Sequence, residues 1–343
     1  MNEVVCGKNA DEVYCRIFRN LEKYGCIVNG RNGETKELTH VCLKISDATQ
    51  RWVVNRKPVI SPAFAIAELV MIMNGNDEAA LLNTWNPALP KYQGEYQYYP
   101  GAYGKRLRNS FGFDQINKVY ETLKYNPESR QAVLEIWKPD LDLPHDLGRP
   151  NNKDIPCNIC SLLKIRQGKL LWTQIMRSND IVFGLPYNFL QFTFLQEIIA
   201  GWLNIGIGEY MHVSDSLHMY SDNRCHVNCK HDMHLNYKEQ LKLEKKISDN
   251  VFEELLARMK ELSSGQCTCE YIKEIIDARY LPEAYQNMLG LLCEYVAFSQ
   301  NMGEELIEYC ELSITSLLYR DLMKKWIKER KKKRSQVNIL RSN

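Results

Sequence analysis

The chain lacks any long uninterrupted apolar run. Its most apolar stretch, PAFAIAELVMIM at 62–73, carries Glu68 and falls short of the about 20 residues a bilayer span requires. The first residues, MNEVVCGKNADEVYCRIF, hold no apolar core of the kind a secretory leader needs, so no export signal is expected. Without a leader, the 12 cysteines are expected as reduced thiols of a cytoplasmic protein, not a disulfide scaffold. No internal repeat and no low-complexity linker interrupts the chain. Charge of one sign is also missing: the net charge is +2, apart from the basic run KKWIKERKKKR at 324–334. What is present suffices for a real core, with 45% hydrophobic residues in 343.

Local patterns place the elements. Residues 11–25 set Val13, Ile17, Phe18 and Leu21 at helical spacing, with Gly25 as a stop. Strands are expected at 38–45, 132–137 and 209–213, and a hairpin at 158–166 and 170–177 turning on Gln167-Gly168. Ser61 and Pro62 begin a helix that ends at Gly75. It is apolar nearly all round and is expected to be buried, which makes Glu68 conspicuous. A buried carboxylate needs partners or a raised pKa; it is either a satisfied structural group or part of a functional site. Asn188 precedes FLQFTFLQEIIAGWL and can cap that helix. From about residue 236 the chain reads as almost wholly helical. One compact α+β domain is expected, a mixed sheet packed against helices, comprising residues 1–235, a helical portion at 236–323 and a basic tail at 324–343.

Cys157-x-x-Cys160, in DIPCNICSLL, has the spacing of a redox pair or half a zinc site. Redox pairs favour helix N-termini, whereas this segment reads as a strand, where residues three apart face opposite ways. No second CxxC exists to complete a zinc site. The other cluster, Cys225, His226, Cys229, His231 and His234, is too tight for a standard finger and reads as a surface loop. Cys157 is then a lone reactive thiol or a small buried hydrophobe. Arg177 in RSND, on the neighbouring strand, would supply a cation to a thiolate or an anionic ligand. FGLPYN follows, ending at Asn188, and then DSLHMY with His218 and Tyr220.

In this order the motifs resemble the thymidylate synthase family, which includes pyrimidine nucleotide hydroxymethylases. The resemblance rests on PCN at 156–158, MRSNDIVFGLPYN at 176–188 and HMY at 218–220. Echoes occur in GRNG at 30–33, AELVMIMNG at 67–75, TWN at 84–86, AYGKRLR at 102–108 and ESRQAVLEIW at 128–137. It implies a thymidylate-synthase-like fold and transfer of a one-carbon unit from methylenetetrahydrofolate to C5 of a uridine monophosphate nucleotide, with no metal. By the resemblance Cys157 is the nucleophile that adds to C6. Arg31, Arg177 and Ser178 would bind the nucleotide phosphate, and Arg130 would be lent across a homodimer interface. Asn188 would hold the pyrimidine edge, and His218 and Tyr220 the sugar hydroxyl. Glu68 and Tyr103 would manage protons at O4 and C5. Asp180 would lie by the folate ring, and Trp85 beside the transferred carbon.

The chain departs from the family pattern at four places. Asn158 stands where many members have histidine, and Gln131 where a second arginine is usual. Lys57 is only near the position of a folate-gripping lysine. The chain closes on KKKRSQVNILRSN in place of a short apolar tail that seals the site. Sealing excludes water and favours hydride transfer, which yields a methyl group. Methylation is the first expectation and hydroxymethylation by water the alternative; Asn188 favours uracil over cytosine. A different class of reading is an inactive member that binds nucleic acid through Lys324–Arg334.

Overall fold

The computed structural model describes residues 4–30, 33–145, 152–221, 226–227 and 239–342. The strands are β1 (Val5–Gly7), β2 (Cys26–Gly30), β3 (Gly33–Ile45), β4 (Arg56–Lys57), β5 (Val133–Glu135), β6 (Asn158–Arg166), β7 (Lys169–Met176), β8 (Asn179–Asp180), β9 (Gly206–Tyr220) and β10 (His226–Val227). The helices are α1 (Ala10–Tyr24), α2 (Pro62–Met73), α3 (Ala79–Trp85), α4 (Leu89–Gln93), α5 (Tyr103–Arg108), α6 (Gln115–Tyr125) and α7 (Pro139–Asp142). They continue with α8 (Leu185–Trp202), α9 (Lys245–Ser263), α10 (Cys269–Asp277), α11 (Glu283–Ser299), α12 (Glu304–Ser313) and α13 (Leu317–Ser342).

The main sheet runs β1-β3-β9-β7-β6-β5, with β2 on β3 and β8 on β9. It is mixed, as expected: β7 and β8 pair parallel to β9, whereas β3, β6 and β5 pair antiparallel. The β6–β7 hairpin turns on Gln167 (φ 51°) and Gly168 (φ 68°), two left-handed residues that match the strand twist. The expected strand at 38–45 is the second half of β3, and that at 209–213 is the middle of β9. Both extend into polar residues whose alternation is too weak to read.

Helix α2 begins as its sequence dictates: Ser61 Oγ accepts from the Phe64 amide at 3.3 Å, and Pro62 needs no amide partner. It has no polar face because it is enclosed, packed by α8, α9, α11 and α13. Helix α8 starts at Leu185, with Gly184 at the N-cap and no side-chain cap. This corrects the expectation that Asn188 caps the helix: Pro186 fixes a helical φ before it, so Asn188 already lies in the first turn. A Cβ on Gly184 would meet Asn179 Oδ1 at 2.7 Å, so only glycine lets the chain turn this closely over β8.

The C-terminal helices are locked to the rest through buried polar contacts. Arg51 pairs with Glu197 of α8, both sealed from solvent, and Glu197 Oε1 accepts the Leu241 amide at 3.0 Å. The basic stretch continues α13 instead of leaving it. Several of its lysines are paired, Lys324 with Glu311 at 2.7 Å, Lys331 with Glu304 at 2.7 Å and Lys333 with Glu329 at 2.9 Å. Among the described residues, no helix is long and apolar enough to cross a membrane.

Candidate active site

Cys157 sits at the start of β6, its carbonyl accepting the Arg177 amide at 3.0 Å across the strand pair. The Arg177 guanidinium is fixed by the carbonyls of Pro156 (3.0 Å) and Ile155 (3.3 Å). It stacks on Trp137 at 5.2 Å and holds Nη2 3.9 Å from Cys157 Sγ. A fixed cation at a partly exposed sulfur is the setting in which a thiol becomes nucleophilic.

Contrary to the expectation of simple alternation, β6 is irregular at Cys160. A bulge between Asn158 and Cys160 breaks the alternation, and Asn158 and Ser161 are both sealed although three residues apart. The pair is nevertheless not joined. Neither is in a disulfide, and burial together with the Glu135 charge pushes the Cys160 thiol up. Among the described residues no group of His, Cys, Asp or Glu side chains could hold a metal ion. The cluster from Cys225 to His234 lies almost wholly outside the described residues, as does Arg31.

Tyr103 of α5 interacts with both Cys157 and Glu68 of α2. Gly104 lets α5 lie against α2, since a Cβ there would meet Met71 O at 2.6 Å. This close approach brings Tyr103 beside Glu68, Cys157 and Asn158, and burial pushes its hydroxyl well above the usual range. Glu68 borders the cleft with Oε2 sealed and without a partner. Burial raises its pKa to about 8, against a hydrogen bond with Gln191 that lowers it. Gln191 Oε1 also accepts from Asn188 Nδ2 at 3.2 Å, which leaves Asn188 Oδ1 without a partner. Asp154 accepts the Gly101 amide at 2.7 Å and is pushed up to about 6 by burial.

The remaining expected residues divide into two groups. Asp180 caps the turn after β8, accepting the Val182 and Phe183 amides at 2.6 and 3.0 Å. It pairs in register with His218, whose ring meets Tyr220 edge-on at 5.3 Å. Burial lowers the His218 pKa, opposed by Asp180 and Glu37. Ser178 is half-buried beside Arg177. Arg130 is exposed near the outer edge of the sheet, away from this chain's own sulfur contacts. Trp85 is 1% exposed, packed on Tyr295 at 5.3 Å, with Nε1 unpartnered. Sequence reading missed Arg56, which is 3% exposed, lies over the Phe183 and Tyr187 rings and has Nε and Nη1 unpartnered. It also missed Gln174 and Gln191; glutamines inside apolar strands and helices were the available signal.

Fold and site together set a partly exposed thiol beside a fixed guanidinium on a mixed sheet, with buried carboxyl, hydroxyl and amide groups nearby. The chain belongs to the thymidylate synthase family: the family model described as Thymidylate synthase matches residues 12–262. It is 31% identical over 228 residues to a deoxyuridylate hydroxymethyltransferase of Bacillus phage SP01, covering 63% of this chain and 58% of that protein. It is 28% identical over 226 residues to a deoxyuridylate hydroxymethyltransferase of Pseudomonas phage M6, covering 64% and 62%. The chain thus spans about three fifths of the length of these curated relatives. The crystal structure of thymidylate synthase from T4 phage aligns with a TM-score of 0.49 at 23% identity, covering 61% of this chain and 77% of that one.

Proposed function

We propose that the chain transfers a one-carbon unit to C5 of deoxyuridine monophosphate through a covalent adduct at Cys157. The observation that carries this reading is the Arg177 guanidinium 3.9 Å from Cys157 Sγ, with Tyr103 interacting with both Cys157 and Glu68, and Glu68 linked to Asn188 through Gln191. The thiolate adds to C6 and makes C5 nucleophilic. Arg177 and Ser178 hold the phosphate, with Arg31 and a second copy's Arg130 completing it. Asn188, its amide fixed by Gln191, reads the base edge. His218 and Tyr220 hold the sugar hydroxyl. Glu68, protonated near neutrality, supplies O4, and Tyr103 takes part in loss of the C5 proton.

Methylenetetrahydrofolate supplies the electrophilic carbon. The residues fit a flat heteroaromatic co-substrate: Phe183 is 41% exposed beside the Tyr92 ring, with its amide held by Asp180. Trp85 would stand by the transferred carbon. Of the two products, hydroxymethyl is the better supported, because two relatives carry that activity in their names. Methylation is the second reading, supported by the family at large and by the C-terminal helices as an alternative seal.

A homodimer fits the outer sheet face. Leu162, Leu171, Ile175, Met211 and Val213 form a half-buried apolar patch there. Nucleic-acid binding through α13 has less support, since part of its charge is paired internally. The deciding experiment is mass analysis of dUMP, UMP, dCMP and CMP after incubation with methylenetetrahydrofolate. A gain of CH2O or CH2 on dUMP identifies the product. No product and no Cys157 adduct with any of the four would sink the reading.

A further inference from the structure

The Asn158 amide is oriented from the core, through donors and acceptors that start at Trp172. An indole N–H can only donate, and Trp172 Nε1 donates to Gln174 Oε1 at 3.2 Å. The Ser161 hydroxyl donates to the same oxygen at 2.5 Å. With its oxygen committed, Gln174 turns Nε2 the other way and donates to Asn158 Oδ1 at 2.8 Å. Only Nδ2 of Asn158 is left to face the cleft. Trp172 is 1% exposed and Ser161, Gln174 and Asn158 are 0% exposed, so no solvent competes for these polarities. Nδ2 has no acceptor in full hydrogen-bond geometry, and the Tyr103 hydroxyl is the neighbour with which Asn158 interacts.

We propose that Trp172, Gln174 and Asn158 form a polarity relay that holds a permanent N–H donor against the Tyr103 oxygen, making Gln174 and Asn158 positioning residues for proton loss at C5. The relay rests on the one-carbon-transfer reading above. The groups that face Tyr103 with charge are Cys157, Glu68 and Asp154, and each opposes ionisation of its hydroxyl; the Asn158 amide favours it. In the step itself the ionised Tyr103 oxygen takes the C5 proton, directly or through water, and becomes the neutral hydroxyl. The C–H electron pair stays in the ring, and the amide N–H is not consumed. An imidazole, common at this position in the family, could exchange donor for acceptor by changing tautomer. The amide held by Gln174 cannot.

The test uses isosteric changes that invert polarity without changing shape. In Gln174→Glu the carboxylate still accepts from Trp172 and Ser161 but has no N–H for Asn158. The amide must then turn over and present Oδ1 to Tyr103. Asn158→Asp removes the donor from the other side. Each is expected to lower kcat about 10–100-fold with nucleotide KM little changed, and to move the acid limb of the kcat–pH profile upward. Adding Asn158→His to Gln174→Glu is expected to recover at least about tenfold, because an imidazolium beside the glutamate donates both ways.

The relay is overturned if Gln174→Glu and Asn158→Asp, melting as the wild type does, keep its kcat and pH profile. It is equally overturned if the double variant, so folded, stays as slow as Gln174→Glu. A wild-type chain that turns over no pyrimidine nucleotide overturns the one-carbon reading and the relay with it. An active wild type with indifferent variants overturns the relay alone.

Discussion

Cys157 and Cys160 lie three residues apart, yet it is Cys157 that is backed by the Arg177 guanidinium, whereas Cys160 is packed between Glu135 and Ile175. Cys157→Ser is therefore expected to abolish turnover and adduct formation, and Cys160→Ser to retain at least about half the activity; comparable losses would favour a paired-thiol role. Glu68 offers a second residue-scale outcome. Its carboxyl is raised to about 8 by burial, and the acid form is the one that can donate to O4. The free-enzyme profile should show kcat/KM falling as pH rises through about 8, a limb that Glu68→Gln removes along with most of the rate. These residues were legible in the sequence because they stand in compact motifs or break an apolar pattern. Gln174, Gln191 and Asp154 were not, since their importance lies in whom they touch across strands. The orientation of an amide is set by its neighbours' hydrogens, which no spacing encodes.

Among elements, α13 is the most informative. Trp326, 6% exposed, lies between Tyr295 at 5.2 Å and Phe298 at 5.6 Å. Trp326→Ala should cost about 3–5 kcal/mol by loss of contact and cavity formation, read from denaturant unfolding. An unchanged midpoint would mean that this helix is not integral to the core. Element legibility followed periodicity. Helix α1, with Val13, Ile17 and Leu21 buried and Asn9 capping the Glu12 amide, matched its expectation closely. So did α2 and the β6–β7 hairpin. The start of α8 was misplaced because proline and glycine geometry overrode an attractive asparagine cap. The bulge between Asn158 and Cys160 was missed because a bulge has no signature in alternation until the partner strand is known.

For the whole molecule, two outcomes follow from burial and exposure. Glu294 is 0% exposed with both oxygens unpartnered, and its pKa is raised from 4.5 to about 8 by burial, with Glu311 adding to it. As pH rises through this window the unfolded chain sheds a proton that the folded chain keeps, so stability falls from about pH 4.5 and levels off above about 8. Glu294→Gln removes that slope. It should gain about 5 kcal/mol on the wild type between pH 4 and pH 9, seen as diverging melting curves; parallel curves would show that Glu294 finds a partner. The apolar patch on the outer sheet face gives the other outcome. Ile175→Asp, at its centre, should turn a dimer into a monomer by sedimentation, with activity lost if Arg130 is shared. A monomeric wild type would remove the basis for that sharing.

Glu329 of α13 accepts the Val59 amide at 2.9 Å, in the segment that leads from Arg56 to Ser61 and so to Tyr187 in the cleft. The last helix and this segment are therefore joined by a hydrogen bond, and their opening is expected to be coupled. A nucleotide or folate that fixes that segment is expected to slow amide exchange along α13, and unchanged exchange would show the two to be uncoupled. By thermodynamic reciprocity, fraying of that helix is then expected to weaken the hold on that ligand. The far end of this chain is thus a place from which affinity at Cys157 can be read without touching the site.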